Sequence, residues 1–457
     1  MHEPPLREHG IGFGQAARVW AYVGLNSFGG PAGQIAVMHR VLVDDRRWFG
    51  ERRFLHALNY CMLLPGPEAQ QLATYFGWLL HGVRGGLVAG GLFVLPGFAA
   101  ILALSVLYAG YGDTAGVEAI SYGIKPAVMA IVAFAVVRIG SRALTTRFAF
   151  GVAAAAFVAI FFLDVPFPLI VTGAGLLGYL AGRRRPAALP VAAHAARVTT
   201  REAAAPLVDD DAARSGRPST RRALRTLALG LAVWLTPLAV LALALGRDHV
   251  FVEEGVLFST AAVVSFGGAY AVLGYIAQQA VQGYGWLTAG EMLDGLGMAE
   301  STPGPLIMVV EYVGFLAAYR SPGELDPLLA GVLGAALVTW VTFAPSFLWI
   351  FLGAPYAEYL RGNRHLTAAL SAITAAVVGV ILNLAVWFSL HALFDQVGER
   401  HLLGVRLYDP RWPSFDPVAA GLAALAFYVV FRRRWPLLAT LGASAALGAA
   451  LSLAGAG

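Results

Sequence analysis

The sequence predicts an all-α polytopic membrane protein made of two inverted-topology repeats, each combining Gly/Pro-broken helical hairpins with transmembrane helices. Three observations predict it. The 457 residues are 58% hydrophobic and 13% charged, with a mean hydropathy of +0.67; soluble domains run about 25% charged. Apolar runs long enough to cross a bilayer recur in both halves. A stretch from Ser27 to Trp78 carries two breaks, Ser27-Phe28-Gly29-Gly30-Pro31 and Pro65-Gly66-Pro67. Both return 238 positions downstream, without a gap, as Ser265-Phe266-Gly267-Gly268 and Pro303-Gly304-Pro305. Trp48 and Trp286, Leu55 and Leu293, and Leu58 and Leu296 keep the same register, which marks an internal duplication.

Taken in order, residues 12–26 and 31–42 read as short helices flanking the Gly-Gly-Pro break, and 54–64 and 68–82 flank Pro-Gly-Pro. A helix of that length spans only about 22 Å, short of a hydrocarbon core of roughly 30 Å. Each pair therefore crosses as a broken helix or enters and returns as a hairpin. Spans follow near 86–110, 118–139, 148–162 and 165–182, closing a first repeat over 1–182. The stretch 183–223 holds nine Arg beside Asp209-Asp210-Asp211 and reads as a polar linker. Residues 224–457 hold an additional span, 224–246, and the second repeat: broken pairs at 253–282 and 289–318, then spans near 326–354, 366–394, 415–431 and 435–453. A weaker echo, Gly123–Val128 in Ala372–Val377, is offset by 249 instead.

Of 32 basic residues all but Lys125 are Arg, gathered in a few loops. That distribution reads as membrane topology, not as a nucleic-acid platform, which needs interleaved aromatics. If the linker is cytoplasmic, so are 361–364 and 432–434. The loop with Arg40, Arg46, Arg47, Arg52 and Arg53 joins them if the pairs return as hairpins, the arrangement we favour. One odd span between the repeats then inverts the second copy. The first eleven residues show no signal-peptide pattern. Cys61 is the only cysteine, and His39, His56 and His81 lack metal-ligand spacing, so neither a metal nor another cofactor is expected. There is no Walker loop.

In lipid, a broken helix leaves backbone groups that protein, water or a ligand must satisfy. Paired breaks in two halves therefore point to a transporter's binding site. Helices starting just after the breaks carry partial positive charge, suited to a tetrahedral oxyanion. The expected substrate-binding residues are Ser27, Gly29, Gly30, Pro65, Gly66, Pro67, Gln70, Gln71, Lys125, Ser265, Gly267, Gly268, Thr302, Pro303, Gly304 and Pro305. Against this, such breaks also serve as packing kinks, and Lys125 has a structural alternative in snorkelling or pairing with Glu118. Glu68 and Glu300 are proton-coupling candidates, with helix capping as the competing role; Glu311, which with Glu300 flanks the second Pro-Gly-Pro, carries the same ambiguity.

These residues resemble the chromate ion transporter family in its long, two-domain form. The resemblance rests on Ser27-Phe28-Gly29-Gly30-Pro31, Leu64 to Leu72, Ser265-Phe266-Gly267-Gly268 and Thr302-Pro303-Gly304-Pro305. It implies secondary active export of chromate across the bacterial inner membrane, conferring chromate resistance, with protons or membrane potential as the drive. Alternatives are uptake or exchange of sulfate or a related oxyanion, an intramembrane enzyme, and a non-transporting scaffold. Expected partners are the oxyanion, the bilayer and protons, with a homodimer left open and no nucleic acid. Glu68, Gln70 and Gln71 face Leu306, Met308 and Val309 in the copy, so the halves are not expected to contribute equally.

Overall fold

Each Gly/Pro break ends one helix and starts the next, and the whole architecture follows from where those ends meet. The computed structural model describes residues 10–112, 114–184, 207–208, 219–266, 269–354, 364–402 and 404–454. The first repeat opens with α1 (Phe13–Leu25), α2 (Gly30–His39) and α3 (Glu51–Cys61). Gly29 and Gly30 take φ of 78° and 70°, a left-handed turn that glycine adopts without strain. Pro31 then lies in the first turn of α2, where its missing N–H costs nothing.

Helix α4 (Glu68–Tyr111) is two helices joined at a kink, since His81 and Gly82 are non-helical. Its arm 68–80 runs from the break back to the start of α1, where the His81 ring contacts the Ile11 carbonyl at 3.0 Å. The far end of the α2 hairpin also lies beside α1: Asp45 and Arg46 line one cleft with Gln15 and Arg18. The broken pairs thus enter and return. Arm 83–111 then runs on past the second break, with Gly97 against Pro303 and Gly304 and Tyr108 against Asp294.

After α5 (Ala115–Ala143), α6 (Arg147–Phe161), α7 (Phe167–Arg184) and α8 (Thr220–Leu245), the pattern repeats. It comprises α9 (Val250–Val264), α10 (Ala269–Gln278), α11 (Ala289–Ser301) and α12 (Val309–Arg320), then α13 (Pro327–Gly353), α14 (Arg364–Leu393), α15 (Pro417–Phe427) and α16 (Leu437–Leu453). Both α2 and α10 run on into a π-helical turn, at Arg40–Asp45 and Gln279–Gly283. The first quartet of short helices packs at the start of the long arm of α4. The second packs at its end, where the Tyr108 hydroxyl donates to Asp294 of α11 at 3.1 Å.

The later helices also match across the repeats. Pro96 and Pro345 lie inside α4 and α13, offset by the same 249 positions as the echo between α5 and α14. Gly123 of α5 packs on Ser444 and Gly448 of α16, and Ala372 and Ala368 of α14 pack on Gly178 and Gly182 of α7. The offset has grown there to 266. The cause is a β-hairpin absent from the first repeat, β1 (Val397–Leu402) and β2 (Val405–Pro410), paired antiparallel. Arg406 anchors it, its guanidinium donating to Asp164 and to the Ile160 carbonyl, each at 2.8 Å. The sequence reading left 395–414 unassigned.

Among the described residues, five helices are long and apolar enough to cross a membrane: Glu68–Tyr111, Ala115–Ala143, Thr220–Leu245, Pro327–Gly353 and Thr367–Leu393. The chain is an all-α polytopic membrane protein, with one small sheet among the described residues. Among the segments expected to span, α6, α7 and α16 have 15, 18 and 17 residues, or roughly 22–27 Å, less than a full core. Tracing the chain places 46–47, 142–147, 183–184, 220–225 and 432–434 at one end, the basic face. The described part of the linker lies there too: Leu207 and Val208 donate to the carbonyls of Arg47 and Trp48 at 3.1 and 3.0 Å. Linker residues 185–206 and 209–218 and residues 361–363 lie outside the described residues, whereas 183–184 end α7 and 220–223 open α8.

Candidate functional site

The two sets of breaks meet through a reciprocal pair of backbone hydrogen bonds. The Gly66 amide donates to the Ser265 carbonyl and the Gly304 amide to the Ser27 carbonyl, both at 2.9 Å. Gly66 and Gly304 are repeat counterparts, as are Ser27 and Ser265, so each bond is the image of the other, as in an isologous interface. A second reciprocal contact flanks the first. A Cβ on Gly66 would lie 2.5 Å from Ser346 Oγ, and one on Gly304 would lie 3.0 Å from Gly97 Cα. Gly97 and Ser346 each follow the helix-interior proline.

The amides expected to face a ligand at these two glycines are thus spent in joining the repeats. The donors left over are found one turn further on. Helix α4 begins after Pro67 with no side-chain cap, so the amides of Glu68, Ala69 and Gln70 remain at its first turn. Around them lie Ser265 Oγ and Ser346 Oγ, both buried and without a hydrogen-bond partner. Gln71 Nε2 braces the break by donating to the Pro65 carbonyl at 2.7 Å, and Gln70 Nε2 donates to Thr74 Oγ1 at 3.0 Å. The Oε1 atoms of both glutamines are unpartnered. The second break is apolar by contrast: buried Leu306, Ile307 and Met308 form its first turn. Gln34 Nε2 closes it by donating to the Gly304 carbonyl at 2.6 Å.

A family model described as chromate transporter matches residues 14–179 and 253–449, most of the chain and both repeats. The chain belongs to the chromate transporter family. The family is one of transporters, not of enzymes. Relatives include the chromate transport protein of Pseudomonas aeruginosa, 32% identical over 78% of this chain and 76% of the relative. The chromate transport protein of Cupriavidus metallidurans is 27% identical over 82% of each chain. The probable chromate transport protein of Synechococcus elongatus is 26% identical over 83% of this chain and 86% of the relative. No solved structure matches.

In this chromate transporter family member, not every expected site residue gathers at the breaks. Pro65, Gly66, Pro67, Gln70, Gln71, Ser265, Pro303, Gly304 and Pro305 do, and Gly29 and Gly30 form the turn that opens α2. Ser27 Oγ and Thr302 Oγ1 instead donate to carbonyls of their own helices, at 2.6 and 3.4 Å. Gly267 and Gly268 lie outside the described residues. Lys125 stands elsewhere. Its ammonium is 3.8 Å from Asp294 and would be 3.1 Å from a Cβ on Gly290, beside the start of α11, whereas Gly304 follows the end of that helix. Glu118, the partner weighed for it from the sequence, is exposed. Glu300 is buried and accepts a hydrogen bond from the Tyr270 hydroxyl, tying α11 to α10. Glu68 is half-buried at the start of α4.

Sequence reasoning missed Ser346, Gln34 and Asp294. Pro345 gave a signal for the first, since it breaks an apolar run 249 residues after Pro96. Asp294 was visible as a carboxylate between Glu291 and Glu300 in an otherwise apolar arm.

Proposed function

We propose that the protein is a secondary active exporter of chromate in the bacterial inner membrane, working by alternating access between repeats of inverted topology. Chromate as substrate is supported by the relatives, which are chromate transport proteins by name. The basic face supports the orientation, since the positive-inside bias makes it cytoplasmic; export as the direction follows from the family resemblance alone. A single substrate site at the first-repeat break is supported by the uncapped start of α4 beside Ser265 and Ser346, since an oxyanion binds well at a helix N-terminus with hydroxyl donors.

One observation carries the reading: the repeats hold their hairpins differently. Helix α10 is buried nearly all round, and α11 packs on α5, α14 and α16. Helix α2 buries only Gly30, Gln34 and Met38 along one face, and the hairpin α2–α3 has no comparable packing on α14, α5 or α7, the matching helices. Repeats of one sequence pattern in two dockings are what a rocking transporter requires. Exchanging the dockings closes one side and opens the other.

Paired cysteines test this in a Cys61→Ala background. A Cβ on Gly297 lies 3.8 Å from Ile124 Cβ, the separation of a disulfide. Gly297→Cys with Ile124→Cys should therefore lock the docking described here. The repeat image of that pair is Asn59 with Ile373, and Asn59 is exposed. Asn59→Cys with Ile373→Cys should cross-link only in the exchanged state. Each lock should stop chromate transport and each should release on reduction. The reading fails if the image pair never cross-links in cycling vesicles, or if locked protein transports normally.

A further inference from the structure

Glu254 and Glu311 belong to no part of the site above, yet both are fully buried, and none of their four carboxylate oxygens has a hydrogen-bond partner. Their counterparts 238 positions earlier are Ala16 and Ala73, so the pair is confined to the second repeat. An unpaired charge so enclosed is costly, and an intramembrane carboxylate is a functional group by default.

Their positions form a line. Helices α12 and α13 run antiparallel, with Ala318 opposite Gly334 and Gly314 opposite Val338. Glu254 Oε2 would be 3.3 Å from a Cβ on Gly334, one turn inside the start of α9, near the face opposite the basic one. Carrying the same register inward places Glu311 opposite Val341 and Thr342, about 12 Å deeper along α13. One turn further, about 6 Å, stands Ser346, against Gly66 and the start of α4 with Glu68. Thr342 Oγ1 and Ser346 Oγ are buried and unpartnered as well. Gly334, Val338, Thr342 and Ser346 share one face of α13 at four-residue spacing. In the first repeat the matching α4 positions are Gly85, Ala89, Phe93 and Gly97, with no polar side chain. The charged neighbour acting on Glu254 is Glu253, on its own helix. Among the described residues no other charged group acts on Glu254, and none acts on Glu311, from the elements packed against them, α4, α8, α10, α11, α12 and α13.

We propose that Glu254 and Glu311 carry protons, on a route that leads from the face opposite the basic one, past Thr342 and Ser346, to the first-repeat break. The two carboxylates stand about 12 Å apart along α13, beyond direct transfer, so a proton taken up by Glu254 reaches Glu311 through water molecules admitted between them and leaves towards the break. At each hop the donor oxygen loses one O–H bond as the acceptor oxygen gains one, and each relaying water ends as it began. The inference rests on the transporter reading and adds which residues couple transport to protons. It moves the proton from Glu300, whose carboxylate is engaged by Tyr270, to two unengaged carboxylates.

The test uses the full chain in proteoliposomes with chromate as probe and a trapped pH dye. Two rates are read: chromate counterflow at equal pH, and uptake driven by a pH gradient with its proton flux. Glu311→Gln should keep counterflow at the wild-type level and lose gradient-driven uptake by about a hundredfold, the range set by removing a proton-transfer group. Glu254→Gln should act in the same direction. In the unmutated protein, dicyclohexylcarbodiimide should label Glu254 or Glu311 and stop gradient-driven uptake while sparing counterflow. The route is overturned if Glu311→Gln keeps gradient-driven uptake, if it inserts normally but loses counterflow too, or if neither carboxylate is labelled. Absence of counterflow in the unmutated protein would sink the transporter reading instead.

Discussion

Replacing Gly66 by alanine separates the anion site from a mere packing kink. The φ of Gly66 is 120°, a conformation that costs an L-residue about 1–3 kcal/mol. The added methyl would lie 2.5 Å from Ser346 Oγ and 2.7 Å from Gln71 Nε2. Those are ends of side chains, so they swing aside for roughly 1–3 kcal/mol, but the groups that swing are the ones proposed to face the anion. Gly304 differs. Its φ is 97°, and its methyl would lie 3.0 Å from Gly97 Cα and 3.3 Å from Gly97 N, which is helix backbone that cannot swing. Gly304→Ala should therefore act mainly on stability and insertion. Gly66→Ala should insert well yet transport at least about tenfold less per molecule, since each 1.4 kcal/mol lost at the site is a factor of ten. The assay is chromate uptake into inverted vesicles, normalised to inserted protein, beside a thermal unfolding scan. Gly91→Ala is the control, because nothing lies within 4 Å of its position. Gly90, equivalent to it by sequence, is unsuitable: it packs on Thr74, Phe347 and Gln70. Transport by Gly66→Ala at the Gly91→Ala level would refute the reasoning.

Three further outcomes are expected. Ser346→Ala removes a donor without adding bulk and should weaken chromate transport about tenfold, the worth of a hydrogen bond to a charged group; an unchanged apparent affinity would exclude Ser346 from the site. Lys125→Gln strands a buried carboxylate, at a cost of about 3–5 kcal/mol, so the double change with Asp294→Asn should recover both stability and transport. If the double variant is stable but inactive, Lys125 serves the anion after all. Single cysteines at 47, 207 and 433 in a Cys61→Ala background should react only from the cytoplasm, and one at 400 only from outside. External labelling at 207 would contradict the assigned orientation.

The class of the protein and its elements were legible because lipid enforces them. Apolar runs, Gly/Pro breaks and clustered Arg are local features, and in a bilayer each has few structural solutions. The 238-residue register alone named four breaks and paired them correctly. It did not tell which chemical groups the breaks would leave open. The Gly66 and Gly304 amides are consumed by Ser265 and Ser27, partners hundreds of residues away, and only the folded arrangement decides that exchange. Lys125 shows the same limit: its sequence neighbour Glu118 was the natural partner, but packing of α5 on α11 delivered Asp294. The hairpin at 397–410 escaped notice because β1 is polar and exposed and neither strand alternates clearly, and it is held by Arg406 reaching Asp164 rather than by its own pattern. The sequence by itself determined a duplicated, helical, membrane-spanning chain, because hydropathy and backbone breaks act residue by residue. The tertiary structure alone decided which backbone amides the breaks leave open and which hairpin is docked, because both depend on contacts between repeats that no local pattern encodes.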